Sequence, residues 1–115
     1  MVKIRDIELG EFPLLLAPME DVSDPPFRAV CKDNGADLMY SEFISSEGLI
    51  RDAIKSKQKL DFSEEERPFG IQIFGGDEEA MAMSAKICET VNPDLVDINF
   101  GCPVKKVVCK VALVF

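Results

Sequence analysis

The chain has no histidine, so neither a Cys–His nucleophile pair nor a histidine-based metal centre can be assembled from its 115 residues alone. Its four cysteines, Cys31, Cys88, Cys102 and Cys109, form no CxxC pair. That removes the other common zinc signature, and no metal is expected. No apolar run approaches the ~20 residues of a membrane-spanning helix. The first ten residues, MVKIRDIELG, carry charges throughout and lack the apolar core of a secretion signal. The expectation is a cytoplasmic chain without membrane attachment, its cysteines reduced. Positive charge is the minority: 13 Lys and Arg against 21 Asp and Glu give a net charge of −8, which argues against nucleic-acid binding driven by global charge. Two local basic clusters survive, Lys55/Lys57/Lys59 and Lys105/Lys106/Lys110.

What is present is a βα period. Hydrophobic residues make up 47% and charged ones 30%, the balance of one small globular domain. LLLAPM at 14–19 is an apolar run too short for a helix and stopped by proline. Ser23 and Asp24 then lead into Pro25 and Pro26, which suit a helix start. Phe27, Val30 and Cys31 form a stripe at helical spacing, closed by Asn34-Gly35. DLMYSE at 37–42 reads as a second strand. Leu49, Ile50, Ala53 and Ile54 mark a second helix, and the polar, acidic stretch between Lys57 and Arg67 reads as a solvated loop. PFGIQIF at 68–74 is a third strand. Asp77 caps a third helix with Ala80, Met81, Ser84, Ile87, Cys88 and Val91 on one face, and DLVDINF at 94–100 is a fourth strand.

Strands starting near 14, 37, 69 and 94 are spaced by 23, 32 and 25 residues, and such alternation implies a parallel sheet with right-handed crossovers. A doubly wound sheet and half of a (β/α)₈ barrel both satisfy it. No GxGxxG follows the first strand, which disfavours a dinucleotide-binding sheet. Four units in about 100 residues match half of a barrel that needs ~250. The expected fold is therefore α/β, the N-terminal half of a (β/α)₈ TIM barrel. In that fold ligands bind where the strands end. Those ends carry Pro18-Met19, Ser41-Glu42, Gln72, and Asn99-Phe100-Gly101-Cys102. Barrel strands are normally almost wholly apolar, so Gln72 and Asn99 stand out; an amide offers both donor and acceptor to the imide edge of a flat heterocycle.

LLLAPMEDVSDPPFR, SEFIS, GIQIFG and DINFGCPVKKV, in this order and spacing, resemble the bacterial tRNA-dihydrouridine synthases over residues 13–110. The resemblance implies an FMN-binding barrel followed by a helical tRNA-binding domain, which reduces uridine in tRNA with NADPH. By motif, Pro18, Met19 and Glu20 would lie against the flavin and Gln72 would hydrogen-bond its ring. Asn99 would shape the substrate pocket. Cys102 would give a proton to C5 of the uracil while reduced FMN gives hydride to C6. Lys105 and Lys106 suit RNA phosphates. A proton donor must stay protonated at neutral pH, as a thiol near ~8.5 does.

One departure is plain. The family continues this motif with a Gly-Ala-Gly-rich segment, whereas here Lys110 is followed by VALVF. The lysine and histidine that contact flavin and the phosphate-binding loops are missing with the second half. The expectation for residues 1–115 is the N-terminal portion of the FMN-binding domain, inactive by itself, with the C-terminal half-barrel and helical domain absent. Two alternatives stay open: an FMN-dependent dehydrogenase acting on a free pyrimidine, and an inactive half-barrel that self-associates to cover its edges.

Overall fold

The computed structural model describes residues 1–101. It opens with an element that the sequence reading passed over as merely charged. Strands β1 (Val2–Ile4) and β2 (Ile7–Gly10) pair antiparallel, with Lys3 opposite Glu8 and Ile4 opposite Ile7. Apolar residues alternate on both sides of the Arg5-Asp6 turn, Arg5 lying at φ 52°, and this alternation is the hairpin signal that was available. Leu9 is the buried anchor of the pair.

Five further strands form a parallel sheet: β3 (Leu15–Leu16), β4 (Leu38–Tyr40), β5 (Ile44–Ser45), β6 (Phe69–Phe74) and β7 (Leu95–Ile98). Leu15 pairs with Leu38, Met39 with Phe69, Ile44 with Ile73, and Gly70 through Ile73 with Leu95 through Ile98. Strands β4 and β5 lie end to end along one edge of β6, and the offset between partners drops by one residue from one pairing to the next. They are thus a single strand position interrupted by a bulge at 41–43. Four positions then follow one another in chain order, all parallel. A doubly wound sheet reverses its order at a switch point; this sheet does not, and it is the first half of a (β/α)₈ barrel.

The two faces of the sheet differ. Met39, Ile44, Phe69, Ile71 and Ile73 pack with Leu49, Leu60 and Cys88 into the core beneath the helices. The alternate residues Tyr40, Gly70, Gln72, Leu95 and Asp97 share the inner, barrel-facing side. Gly70 is needed there for space: a Cβ would lie 2.5 Å from Leu95 Cδ1 and 2.8 Å from Tyr40 Cδ1.

Helix α1 (Pro25–Asp33) starts as expected, with Asp24 accepting from Phe27 N and the two prolines in the first turn. Its buried face is a correction. Phe27 and Val30 are exposed, Val30 at 61%, whereas Arg28 is buried at 2%. The segment read as one helix over Leu49–Ile54 is two, α2 (Ser46–Ile50) and α3 (Ile54–Gln58), separated at Asp52, whose φ is 65°. Residues 57–67 are not a wholly solvated loop either. Leu60 joins the core, Phe62 stacks on Phe69 at 4.6 Å, and Glu66 is buried at the end of a short 3₁₀ turn (Glu64–Glu66). Helix α4 (Glu78–Glu89) buries Ala80, Ser84 and Cys88 behind an Asp77 cap, much as its stripe indicated. Among the described residues no helix is long and apolar enough to cross a membrane.

Candidate active site at the carboxyl rim

A cleft of about 1220 Å³ opens where the parallel strands end, between the loops after β3 and β4, helix α3, and the ends of β6 and β7. Its walls include Pro18, Met19, Glu20, Gln72 and Asn99, together with Phe43, Phe74 and Phe100. Five of the eight site residues chosen from sequence therefore meet at one place. Cys102, Lys105 and Lys106 lie outside the described residues.

The loop bearing Pro18, Met19 and Glu20 is built around Ser23. Its hydroxyl accepts from Met19 N at 2.8 Å and donates to Met19 O at 3.0 Å, and Val22 N and Ser23 N also donate to that carbonyl. Ser23 is in turn held by Arg28, whose Nη1 donates to Ser23 O at 2.8 Å. Nη2 of Arg28 donates to Asp61 O at 2.9 Å, Nε pairs with Glu66, and the guanidinium lies 4.8 Å from the centre of the Phe69 ring. One buried arginine thus ties the Met19 loop to the segment that follows α3. On the solvent side of the cleft, Lys59 closes the same connection with an ion pair to Glu20 at 2.6 Å, over the Phe43 ring. The basic cluster at 55–59 contributes Lys55 and Lys59 to the cleft wall.

Opposite this loop, Ser41 fills the bulge between β4 and β5. Its N–H donates to Gly70 O at 2.9 Å and its hydroxyl accepts from Gln72 N at 3.0 Å. The bulge preserves the backbone bonding of β6 while turning Glu42 into the cleft. One carboxylate oxygen each from Glu20, Asp21 and Glu42 falls within 4.8 Å of the others, giving the mouth an acidic lip.

On the inner face, Gln72 Nε2 donates to Asp97 Oδ2 at 2.7 Å, Asn99 Nδ2 donates to Gln72 Oε1 at 3.2 Å, and Gly101 N donates to Asn99 Oδ1 at 3.0 Å. Burial and the charge of Asp97 raise the pKa of the neighbouring Tyr40 above its ordinary value. Sequence reasoning selected Gln72 and Asn99 and set Ser41 at the rim, but missed Asp97, Ser23 and Arg28. Asp97 was legible, since it shares the period-2 face of β7 with Asn99. Arg28 was not, because nothing local distinguishes a buried arginine on a short helix.

These features define a class: a (β/α)₈-barrel segment with a ligand cleft at the carboxyl ends of its strands, lined by apolar surface and a few hydrogen-bonded amides and carboxylates. Residues 15–112 match the sequence model of the family described as dihydrouridine synthase, and the chain belongs to that family. It is 45% identical over 95 residues to the "Probable tRNA-dihydrouridine synthase" of Aquifex aeolicus, an alignment covering 82% of this chain and 30% of that protein. Against "tRNA-dihydrouridine synthase B" of Pseudomonas syringae pv. tomato the identity is 39% over 99 residues, 86% and 29% of the two chains. Against the Rickettsia prowazekii "Probable tRNA-dihydrouridine synthase" it is 39% over 109 residues, 94% and 33%. The chain thus spans about a third of the length of these curated relatives.

Proposed function

We propose that residues 1–115 are the amino-terminal part of the FMN-binding barrel of a cytoplasmic tRNA-dihydrouridine synthase, which reduces uridine in tRNA to 5,6-dihydrouridine with NADPH. The observation that carries the proposal is the family match joined to the hydrogen-bonded amide pair Gln72–Asn99 on the wall of the cleft at the strand ends. The relatives are about three times as long as the stretch they share with this chain, which supports assigning these residues to a longer protein; a remaining half-barrel and a helical tRNA-binding domain are what the family resemblance implies for the rest.

The donor set suits FMN. An amide nitrogen has two protons and an amide oxygen two lone pairs, so the Gln72 contacts to Asp97 and Asn99 leave capacity for an imide edge. Pro18, Met19, Phe74 and Phe100 supply apolar surface for a flat ring, with Glu20 at its margin. Bound FMN supplies the hydride that C6 of the uracil receives. Gln72 orients the ring, Asn99 shapes the uridine pocket, and Cys102 Sγ delivers the proton to C5. A thiol near its ordinary value of ~8.5 holds that proton at neutral pH. Lys105 and Lys106 meet RNA phosphates.

In the full-length enzyme, Cys102→Ala should leave FMN binding and reduction by NADPH intact. It should slow tRNA-dependent flavin reoxidation by roughly 10²–10⁴-fold, the range for a positioned general acid. Unchanged reoxidation would remove Cys102 from the chemistry, and turnover of free uridine at the rate of tRNA would favour a free-pyrimidine dehydrogenase. The 115-residue chain alone should be inactive and bind FMN weakly. Leu14, Leu15, Ile98 and Phe100 are exposed, which supports self-association of the isolated chain. Sedimentation that finds only monomer at every concentration would contradict it.

A further inference from the structure

We propose that Asp97 is a positioning residue: its carboxylate reinforces the polarity of a side-chain relay that runs through Gln72 and Asn99 to the backbone N–H of Gly101, the residue before Cys102. The role of the relay's far end rests on the reading of Cys102 as the proton donor. The relay itself rests on geometry.

Asp97 stands directly opposite Gln72 in the β6–β7 register. Three contacts follow in series at 2.7, 3.2 and 3.0 Å. An amide side chain can turn over by 180° and exchange its donor for its acceptor, whereas an ionised carboxylate only accepts. Opposite Asp97, Gln72 must therefore present Nε2, which leaves Oε1 toward Asn99. Asn99 must then answer with Nδ2, which leaves Oδ1 to accept from Gly101 N. The acceptor-only carboxylate at one end and the donor-only Gly101 N–H at the other demand the same orientation of both amides.

Without that charge only the Gly101 N–H opposes the reversed arrangement, in which the Asn99 NH₂ would face it, donor against donor. The turn before Cys102 would lose its hydrogen bond, and a misplacement of about 1 Å at a reacting group can cost ~10²-fold in rate. The relay also reaches Gln72, which is buried at 6% exposure on the cleft wall.

The test uses the full-length protein. Asp97→Asn preserves shape but no longer dictates polarity. We expect its Tm within about 3 °C of wild type and the Gly101 amide proton, followed by NMR in flavin-free protein, to move from its hydrogen-bonded shift toward the unbonded position as the reversed arrangement gains population. The kcat for tRNA should fall roughly 10–10²-fold at unchanged KM. Adding Gln72→Glu to Asp97→Asn restores an acceptor-only group at the centre of the relay, so the Gly101 shift should return in the double variant. Gln72→Glu alone keeps an acceptor toward Asn99 and should keep the Gly101 shift, while its two facing carboxylates lower the Tm. An unchanged Gly101 shift in Asp97→Asn would overturn the proposal. So would a loss that the double variant fails to restore, because Asp97 would then be a general structural support. Failure of the wild-type protein to reduce tRNA would overturn only the functional reading, and the amide signal would still judge the relay.

Discussion

Replacing Arg28 with methionine keeps the apolar stem and removes the charge from the best-connected buried side chain of the described residues. Arg28 and Glu66 are 2% and 3% exposed, so the variant leaves a carboxylate buried without its cation. Breaking one side of such a pair costs about 3–5 kcal/mol. The Ser23 carbonyl, also buried, loses its arginine donor and adds about 1 kcal/mol. Asp61 and Ser63 lie in exposed positions, and water can replace their bonds to Arg28 and Glu66 at little cost. Against a domain stability of ~5–15 kcal/mol, Arg28→Met alone should remove at least about a third of it. Glu66→Leu should do comparable damage by stranding the guanidinium. The double variant should lie within about 2 kcal/mol of wild type, because an apolar pair carries no desolvation debt. Urea unfolding followed by circular dichroism at one fixed protein concentration gives the cycle, with a coupling of at least about 2 kcal/mol expected. A double variant as unstable as the sum of the singles would refute the argument, as would Arg28→Met costing under about 1 kcal/mol.

Two further expectations concern the buried helix side of the sheet. Ser46 Oγ is buried without a hydrogen-bond partner among the described residues, so Ser46→Ala should be neutral or stabilise by up to about 1 kcal/mol. A Cβ on Gly75 would lie 2.0 Å from that oxygen. Gly75→Ala should therefore cost about 1–3 kcal/mol, and less when Ser46 is already alanine; thermal unfolding of the four variants decides, and additive effects would refute the clash. Burial pushes the Cys88 thiol from 9.0 up to about 11. The folded state holds this proton more tightly than the unfolded chain, so the stabilisation is complete below about pH 9 and lost as pH rises through about 11. Cys88→Ala should flatten the alkaline limb of the stability profile, and an identical slope in the variant would refute the assignment.

Much of the fold was written in local periodicity. Runs such as GIQIF and DLVDINF are too short for helices, and their alternation with helical stripes at regular spacing selected four parallel βα units. The same runs exposed the site, because an amide in a barrel strand has a desolvation cost that a ligand or a partner must offset. Sequence also carried the Asp24 and Asp77 caps, whose hydrogen bonds close within three residues. Only the tertiary structure could decide what depends on distant partners. Whether Arg28 faces solvent or core is settled by Glu66, 38 positions away in the chain. The bulge at Ser41 exists because Gln72 N needs an acceptor at that height of β6. Asp97 becomes the orienting charge of the cleft because strand register sets it opposite Gln72. Periodicity is a property of neighbours along the chain; register and pairing depend on which strand lies alongside which, and that is decided only when the sheet has assembled.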